Sequence, residues 1–473
     1  MSVMKQQRLM FIGPVLVVLS VMLLWTYRPD WTFQTWTQYY PTNTQSPVVQ
    51  KSYSSGHDDV LVKVNGTKTL LISAYLEHRT DRKEVLVLAI VLRTETVAYR
   101  CIFCCQQLLR VSAGFSYIHS DHFGFAYGTA DIMCPVPSGC EEPTHITVTS
   151  AAAPPGDKHL GKFLEVKNQE AKSDSFPSNF TVCLSTMFDF TNVLQLVQSL
   201  EMLLILGVNR VVVYKTSCSP ETQRILDYYQ QRGLVEVIPW SLSRFVNVSR
   251  GWLPLHGPGE LHYFGQIPAL NDCLYRSMYR SRYVALHDID ELILPQTVSS
   301  WLQLLPLLEI RYGTDQCFMF ENNVFPNSIT LPDPTGRTIK QDRWVNVSGV
   351  NILDHLYHEP IISKTDYTGF KIIVNPRLVF STSVHGLLSS LGGCSWVNRN
   401  IARMYHTRAS KQMSLPPDQL VYDGRLLSYS ATLRPAVDAV LTDTGFIAEH
   451  SERHSAGEPS DTTILLEEEA AAH

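Results

Sequence analysis

Apolar and polar positions change texture several times along the chain, and each texture predicts a different kind of element. Residues 9–25, LMFIGPVLVVLSVMLLW, form an unbroken run without a charge. As a helix this run rises about 25 Å, the short end of what a bilayer core accepts. Residues 26–58 are rich in Thr, Gln, Ser, Pro and Tyr and nearly empty of aliphatic side chains, which cannot bury a core and read as a stem. Between 59 and 150 the apolar runs are short and separated by turn residues: VLVKV, TLLISAYL, EVLVLAIVL, VAYRCIF and HITVTS. That spacing predicts a small antiparallel β-rich domain. Residues 151–178, polar and containing Pro, read as a linker.

From 178 to 445 the period alternates. Thr181–Phe188 is an apolar strand, Val193–Leu206 has helical spacing with Gly207 as its C-cap, and Val208–Lys215 is a β-branched strand. Glu221–Arg232 is helical and stopped by Gly233; Leu234–Trp240 is a third strand. Gln266–Tyr279 is helical, Tyr283–His287 is a fourth strand, and Trp301–Ile310 with Cys317–Phe325 continue the alternation. Strands alternating with helices predict βαβ units and a parallel sheet, hence an α/β class. Residues 446–473, with GEPSDTT and a Glu/Ala-rich end, read as a disordered tail.

Charge and composition narrow the partners. The 473 residues carry 39 Lys and Arg against 44 Asp and Glu, a formal net charge of −5. With neither a basic excess nor a basic stripe, a nucleic-acid partner is not expected. Lys5 and Arg8 precede the apolar run, so residues 1–8 are placed in the cytosol and everything beyond residue 25 on the far side of the membrane. The run ends in bulky residues rather than the small ones of a signal-peptide cleavage site, which favours an uncleaved anchor. Asn65, Asn179, Asn247 and Asn346 begin Asn-x-Ser/Thr acceptor sequences on that far side. All ten cysteines lie there as well, an even number that reads as disulfides in an oxidising compartment. The cluster Cys101, Cys104, Cys105, Cys134 and Cys140 admits zinc as an alternative, although no His stands at ligand spacing.

The candidate chemistry lies at the end of the fourth strand. YVALH runs directly into Asp288-Ile289-Asp290-Glu291, the sole Asp-x-Asp of the sequence. In an open parallel sheet, ligands bind beyond the carboxyl ends of the strands. Two carboxylates at i and i+2 there suit a hard divalent cation carrying a diphosphate. The competing reading is a solvated, helix-capping turn. Against it, three acids within four positions repel one another unless a cation compensates.

The segments Gly265–Arg276 (GQIPALNDCLYR), Tyr283–Pro295 (YVALHDIDELILP), Lys371–Val379 (KIIVNPRLV) and Val384-His385-Gly386 together resemble glycosyltransferase family 92. His406-Thr407-Arg408 is similar to that family's His-Tyr-Arg, with Thr in place of Tyr. The resemblance spans roughly Phe180 to Arg408. It implies a single-pass type II Golgi membrane enzyme with a GT-A-like nucleotide-sugar-binding domain, preceded by the β-rich domain and the anchor. It implies inverting transfer of galactose from UDP-galactose to a terminal sugar of N-glycans, in β1,4 linkage, with Mn²⁺ or another divalent cation. Asp288 and Asp290 would then hold the metal, and His385 or His406 would add a ligand or touch phosphate. Lys371 and Arg377 lie near the same late strand and are candidates to neutralise the departing UDP. Arg276 is expected to pair with an acidic neighbour. A general base is also required, and Glu321, Asp354 and Glu359 are the downstream candidates. His355-x-x-His358 lacks the helical pattern of a zinc motif. The alternatives are another UDP-sugar, or a catalytically idle luminal glycan-binding protein on the same fold.

Overall fold

The computed structural model describes residues 61–153, 161–171, 175–336, 342–361 and 369–448. The apolar run 9–25, the stem 26–58 and nearly all of the 446–473 tail lie outside the described residues. No described helix is long and apolar enough to cross a membrane.

The β-rich part comprises β1 (Val62–Lys63), β2 (Leu70–Glu77), β3 (Glu84–Leu92), β4 (Tyr99–Cys105), β5 (Leu108–Ile118), β6 (Tyr127–Pro135), β7 (His145–Ser150) and β8 (Leu164–Lys167). The strands are hydrogen-bonded in the order β1-β2-β3-β6-β5-β4-β7-β8, and β8 returns to pair with β2, closing a barrel. Its last strand thus falls in the stretch that reads as linker. β5, β6 and β8 escape the sequence pattern because their apolar content is broken by Ser, Gly, Thr and Glu. β3 shows why this part is so apolar. Val85, Val87 and Ala89 fill the barrel, while Leu86, Leu88 and Ile90 join a second core against the α/β part. A strand buried on both faces reads as a continuous run rather than as an alternation. Disulfides Cys101–Cys134 and Cys105–Cys140 tie the barrel strands, so the zinc reading of that cluster is replaced by two covalent bridges, with Cys104 left free.

The α/β part begins with β9 (Ser178–Met187), α1 (Val193–Leu206), β10 (Arg210–Lys215), α2 (Pro220–Gln231), β11 (Val235–Pro239), α3 (Gln266–Ser277) and β12 (Ser281–His287). Local chemistry sets the helix ends. The Asn192 side chain caps α1, which stops at Gly207 with φ +97°, and Ser219 followed by Pro220 opens α2. β11, β10, β9 and β12 are parallel, as expected. The rest of the sheet departs from that expectation. The order continues β12-β17-β14-β20, and β17 (Lys371–Val374) runs antiparallel to both β12 and β14 (Cys317–Phe320). The reason is local: after β12 the chain turns at Asp288–Asp290 straight into β13 (Glu291–Pro295), with no crossover helix to restore a parallel strand.

β13 forms a separate three-stranded sheet with β21 (Ala402–Arg408) and β15 (Asn322–Pro326). The stretch Cys317–Phe325, read as one strand, therefore splits at Glu321, whose carbonyl accepts from Met404 N while its neighbours serve different sheets. The remaining strands are β16 (Tyr357–His358) paired with β22 (Val421–Tyr422), the hairpin β18 (Val379–Ser383) with β19 (Gly386–Ser390), and β20 (Cys394–Trp396). Helices α4 (Trp301–Tyr312) and α5 (Ser430–Asp443) complete the described α-helices. Cys183–Cys273 bonds α3 to β9, and Cys317–Cys394 bonds β14 to β20.

Helix α3 holds the two parts together. Its buried Asp272 accepts from Ser73 and Tyr75 of the barrel and from Tyr214 of β10. Arg276, one turn on, pairs with Asp272 at 3.0 Å and with Glu236 at 3.4 Å, as expected.

Candidate functional site

A cleft of about 810 Å³ opens beyond the carboxyl ends of β9 and β12. Ser185, Gln266, Asp288, Asp290, Lys371 and His406 are among its lining residues. Each arrives for a reason visible in the topology. The buried strand β12 delivers Asp288 at its end. β17 pairs antiparallel with it, Leu286 against Ile372, which sets Lys371 beside the same end. β13 pairs with β21 so that Glu291 lies opposite His406. The Asp290 carbonyl accepts from Thr407 N at 3.0 Å, pinning the turn.

Charge in the cleft is tightly interlocked. Lys371, 2% exposed, reaches Asp288 Oδ2 at 2.9 Å and Glu291 Oε2 at 3.3 Å. Asp288 also accepts from the Ser185 hydroxyl and from Gln266 Nε2. Burial tends to raise the Asp288 carboxyl pKa, but Lys371 and Ser185 outweigh it and hold it well below the usual carboxylate range. Glu291 is buried more completely. There burial, with Asp288 and Asp290 close by, prevails over Lys371 and raises its pKa. His406 lies 3.3 Å from Asp290 and 3.4 Å from Glu291; burial disfavours its charge, but the two acids win and raise its pKa.

His385 occupies the turn between β18 and β19. Its Nδ1 lies 3.1 Å from the Phe370 carbonyl, which can only accept, so Nδ1 carries the proton and Nε2 is left as an acceptor. Burial first, then Lys371, pushes its pKa down to about 4, leaving the ring neutral. Its ring centroid is 5.6 Å from that of Trp252 on the cleft wall.

The fold brings Asp288, Asp290, Lys371, His385 and His406 into one cleft and leaves four other sequence-derived candidates outside its wall. Arg377 donates to the carbonyls of Met278, Ser281 and Arg282, tying the end of α3 to the start of β12, so it is a structural residue rather than a phosphate contact. Glu321 is buried where β14 gives way to β15, 3.5 Å from Arg399. Asp354 lines a separate small pocket. Glu359 is buried and accepts from the backbone of Lys411 and Gln412. None of these three acids lines the cleft. His355 and His358 bond to different carbonyls and share no site.

Other cleft residues carry no local signature. Glu291 reads as part of a turn, and its role depends on Lys371 arriving from 80 residues away. Ser185 and Trp252 are unremarkable in sequence, and Gln266 stands in the Gly265–Arg276 segment without a role of its own there. Arg408, exposed on the cleft wall, makes no side-chain hydrogen bond or ion pair among the described residues. Its place in the His-Thr-Arg triplet was the signal that could have found it.

Among the described residues, no group of three or more His, Cys, Asp or Glu side chains is placed to hold a metal ion by itself. Asp288, Asp290 and His406 nevertheless face one cleft with the oxygen and imidazole donors that Mn²⁺ accepts, and Asp288 and Asp290 are each about a third exposed (32% and 31%). A partial set of this kind fits an ion that draws its remaining ligands from phosphate oxygens and water.

The family model Glycosyltransferase family 92 matches residues 178–429. The chain is 24% identical over 231 residues to the glycosyltransferase family 92 protein F13G3.3 of Caenorhabditis elegans, a match covering 49% of this chain and 40% of that protein. Among solved structures, glucosyl-3-phosphoglycerate synthase of Mycobacterium tuberculosis aligns with 58% of this chain and 82% of its own, at 12% identity and a TM-score of 0.23. The same enzyme with Mn²⁺, UDP and glucosyl-3-phosphoglycerate aligns at 10% identity and a TM-score of 0.22. The family match covers more than half of the sequence and includes every segment that lines the cleft: the chain belongs to glycosyltransferase family 92.

Proposed function

We propose that this chain is an inverting, divalent-cation-dependent glycosyltransferase with a GT-A-type site. On this reading it moves galactose from UDP-galactose to a terminal sugar of N-glycans, in β1,4 linkage. It works in the Golgi lumen, held by residues 9–25. The observation that carries the reading is the placement of Asp288 and Asp290 at the end of β12, facing the same cleft as Lys371, His406 and Arg408. The donor sugar and linkage rest on the family resemblance alone; topology rests on Lys5, Arg8 and the acceptor sequences.

Asp290 and His406 would hold the cation, with Asp288, fixed by Lys371 and Ser185, completing the set. A bound divalent cation supplies Lewis-acid stabilisation of charge on the diphosphate. Arg408 adds a cation on the cleft wall for the phosphate oxygens. In the transfer, the acceptor hydroxyl oxygen forms a bond to the sugar C1 on the face opposite UDP. The C1–O bond to the β-phosphate breaks, and its electron pair leaves with UDP. The hydroxyl proton passes to a base, and His385 Nε2, unprotonated and on the cleft wall, is the group we assign to receive it.

The test is UDP release and product mass from the purified full-length protein, across UDP-sugars, with Mn²⁺ or with EDTA. Asp290→Asn keeps shape but removes charge, so turnover should fall by roughly 10²-fold or more at an unchanged melting temperature. Near wild-type activity in EDTA or in this variant would overturn the metal-diphosphate reading. Activity with a different UDP-sugar alone would remove the galactosyl assignment and leave the mechanism standing.

A further inference from the structure

The outer wall of the cleft belongs to the α/β part and is backed by the barrel. Trp252 lines the cleft on a loop pinched shut at its base. There Ser249 Oγ donates to Gly257 O at 2.9 Å and accepts from Gly251 N at 3.0 Å. A Cβ on Gly251 would sit 2.6 Å from Gly257 N, so the two backbones cross at a distance that only glycine allows. Behind Trp252 lies His262, 2% exposed, with neither ring nitrogen hydrogen-bonded, its ring 4.7 Å from Trp252.

The barrel reaches this wall through the loop between β5 and β6. Phe123 stacks on His262 at 4.4 Å and meets Trp252 edge-on at 5.3 Å. The same loop is tied on both flanks: Tyr127 N donates to Glu260 O at 2.8 Å, and the Ser383 hydroxyl donates to Asp121, two residues before His385. Phe123 has φ +50°, and Tyr263 and Phe264, next to His262, have +28° and +52°. Left-handed backbone is a genuine outlier for bulky residues, and strain of this kind persists only where the surroundings enforce it. Two of these three aromatics, Phe123 and Tyr263, meet Trp252, at 5.3 and 5.7 Å.

We propose that the Trp252 ring is the platform on which the acceptor's pyranose ring lies, and that Phe123 of the barrel is the positioning residue that sets it. This rests on the reading above, because the acceptor hydroxyl must approach His385 Nε2, beside Trp252, while the diphosphate lies at Asp290. The occupant is a sugar whose apolar C–H face packs on indole. The barrel, which carries none of the reacting groups, thereby tunes acceptor affinity through one side chain.

The experiment separates donor from acceptor. UDP with Mn²⁺ is titrated by calorimetry. Methyl β-galactoside, methyl β-N-acetylglucosaminide and methyl α-mannoside are titrated by saturation-transfer NMR on the UDP–Mn²⁺-loaded full-length protein. At least one glycoside is expected to bind wild type. Trp252→Ala should weaken it about tenfold or more, and Phe123→Ala several-fold, with UDP affinity unchanged in both. Phe123→Tyr should restore binding, and Phe123→Leu, which keeps apolar bulk without a ring, should not. In steady state the Phe123→Ala defect should appear in acceptor KM and leave kcat alone. The platform is overturned if no glycoside binds wild type, if Trp252→Ala binds normally, or if it weakens UDP as much as sugar. The barrel's role is overturned if Phe123→Ala binds normally or loses UDP and sugar together. Failure of wild type to bind UDP would instead refute the proposed function, and the same glycoside titrations on the protein without UDP, wild type against Trp252→Ala, would then judge the platform.

Discussion

Lys371 shows how one side chain can set a site. Its ammonium is buried between Asp288 and Glu291, and its charge is committed to them rather than to a leaving group. Replacing it with Met leaves two carboxylates facing each other without a cation. Breaking a buried pair in this way costs about 3–5 kcal/mol. Lys371→Met is therefore expected to lower the melting temperature markedly, whereas Asp290→Asn, on a third-exposed carboxylate, leaves it nearly unchanged. Thermal unfolding of the two variants side by side checks this; equal stability would show that Lys371 is dispensable to the fold. Asp288 and Asp290 were legible in the sequence because their signal is local, two acids at i and i+2 where an apolar strand ends. The base candidates Glu321, Asp354 and Glu359 lie off the cleft wall because where each sits depends on Arg399, on a separate pocket and on residues 411–412 respectively, which no local pattern encodes.

At the scale of elements, α3 decides the architecture. Asp272 receives Ser73 and Tyr75 from one sheet and Tyr214 from another, and it pairs with Arg276 on its own helix. Burial alone would raise its pKa, but Arg276, Lys167 and the hydroxyls hold it well below the ordinary carboxylate range. A folded-state pKa below the unfolded value gives stability that is present above the unfolded pKa, about 3.9, and is lost as pH falls toward the folded one. Wild-type stability should therefore drop steeply with acid below about pH 4. Asp272→Asn should start lower, by about 3–5 kcal/mol, and show a shallower acid slope. Denaturant melts at a series of pH values measure both; parallel slopes would mean that Asp272 is not the acid-sensitive tie. The sequence predicted α3 and Arg276's acidic partnering correctly, since spacing and an i,i+4 pair are local. That the partners across the interface are Ser73 and Tyr75 could not be read, because they stand nearly 200 positions away.

Over the whole molecule, eight of the ten cysteines pair as Cys101–Cys134, Cys105–Cys140, Cys183–Cys273 and Cys317–Cys394, leaving Cys104 and Cys218. Protein made through a secretory route and alkylated without reduction should be labelled at Cys104 and Cys218 alone, and peptide mapping should recover the four bridges. Extensive labelling of the other eight would refute the oxidising compartment. Asn65, Asn179, Asn247 and Asn346 are all exposed, so endoglycosidase treatment of the same protein should increase its gel mobility. An unchanged band would argue against luminal placement.

Periodicity was enough to determine the α/β alternation, the α1 boundaries, α2 to within a residue at each end, several barrel strands and the Asp-x-Asp at the end of β12. These depend on neighbours a few positions apart, where burial repeats every 2 or 3.6 residues. Tertiary structure alone decided that the second half of the sheet turns antiparallel, that Cys317–Phe325 splits between two sheets, and that β8 closes a barrel from within a polar stretch. It also decided that Arg377 serves backbone carbonyls while Arg408 faces the cleft, and that Phe123 stands behind Trp252. Each of these is a contact between segments distant in sequence, and its stability comes from burying both surfaces at once, which no single stretch of chain records.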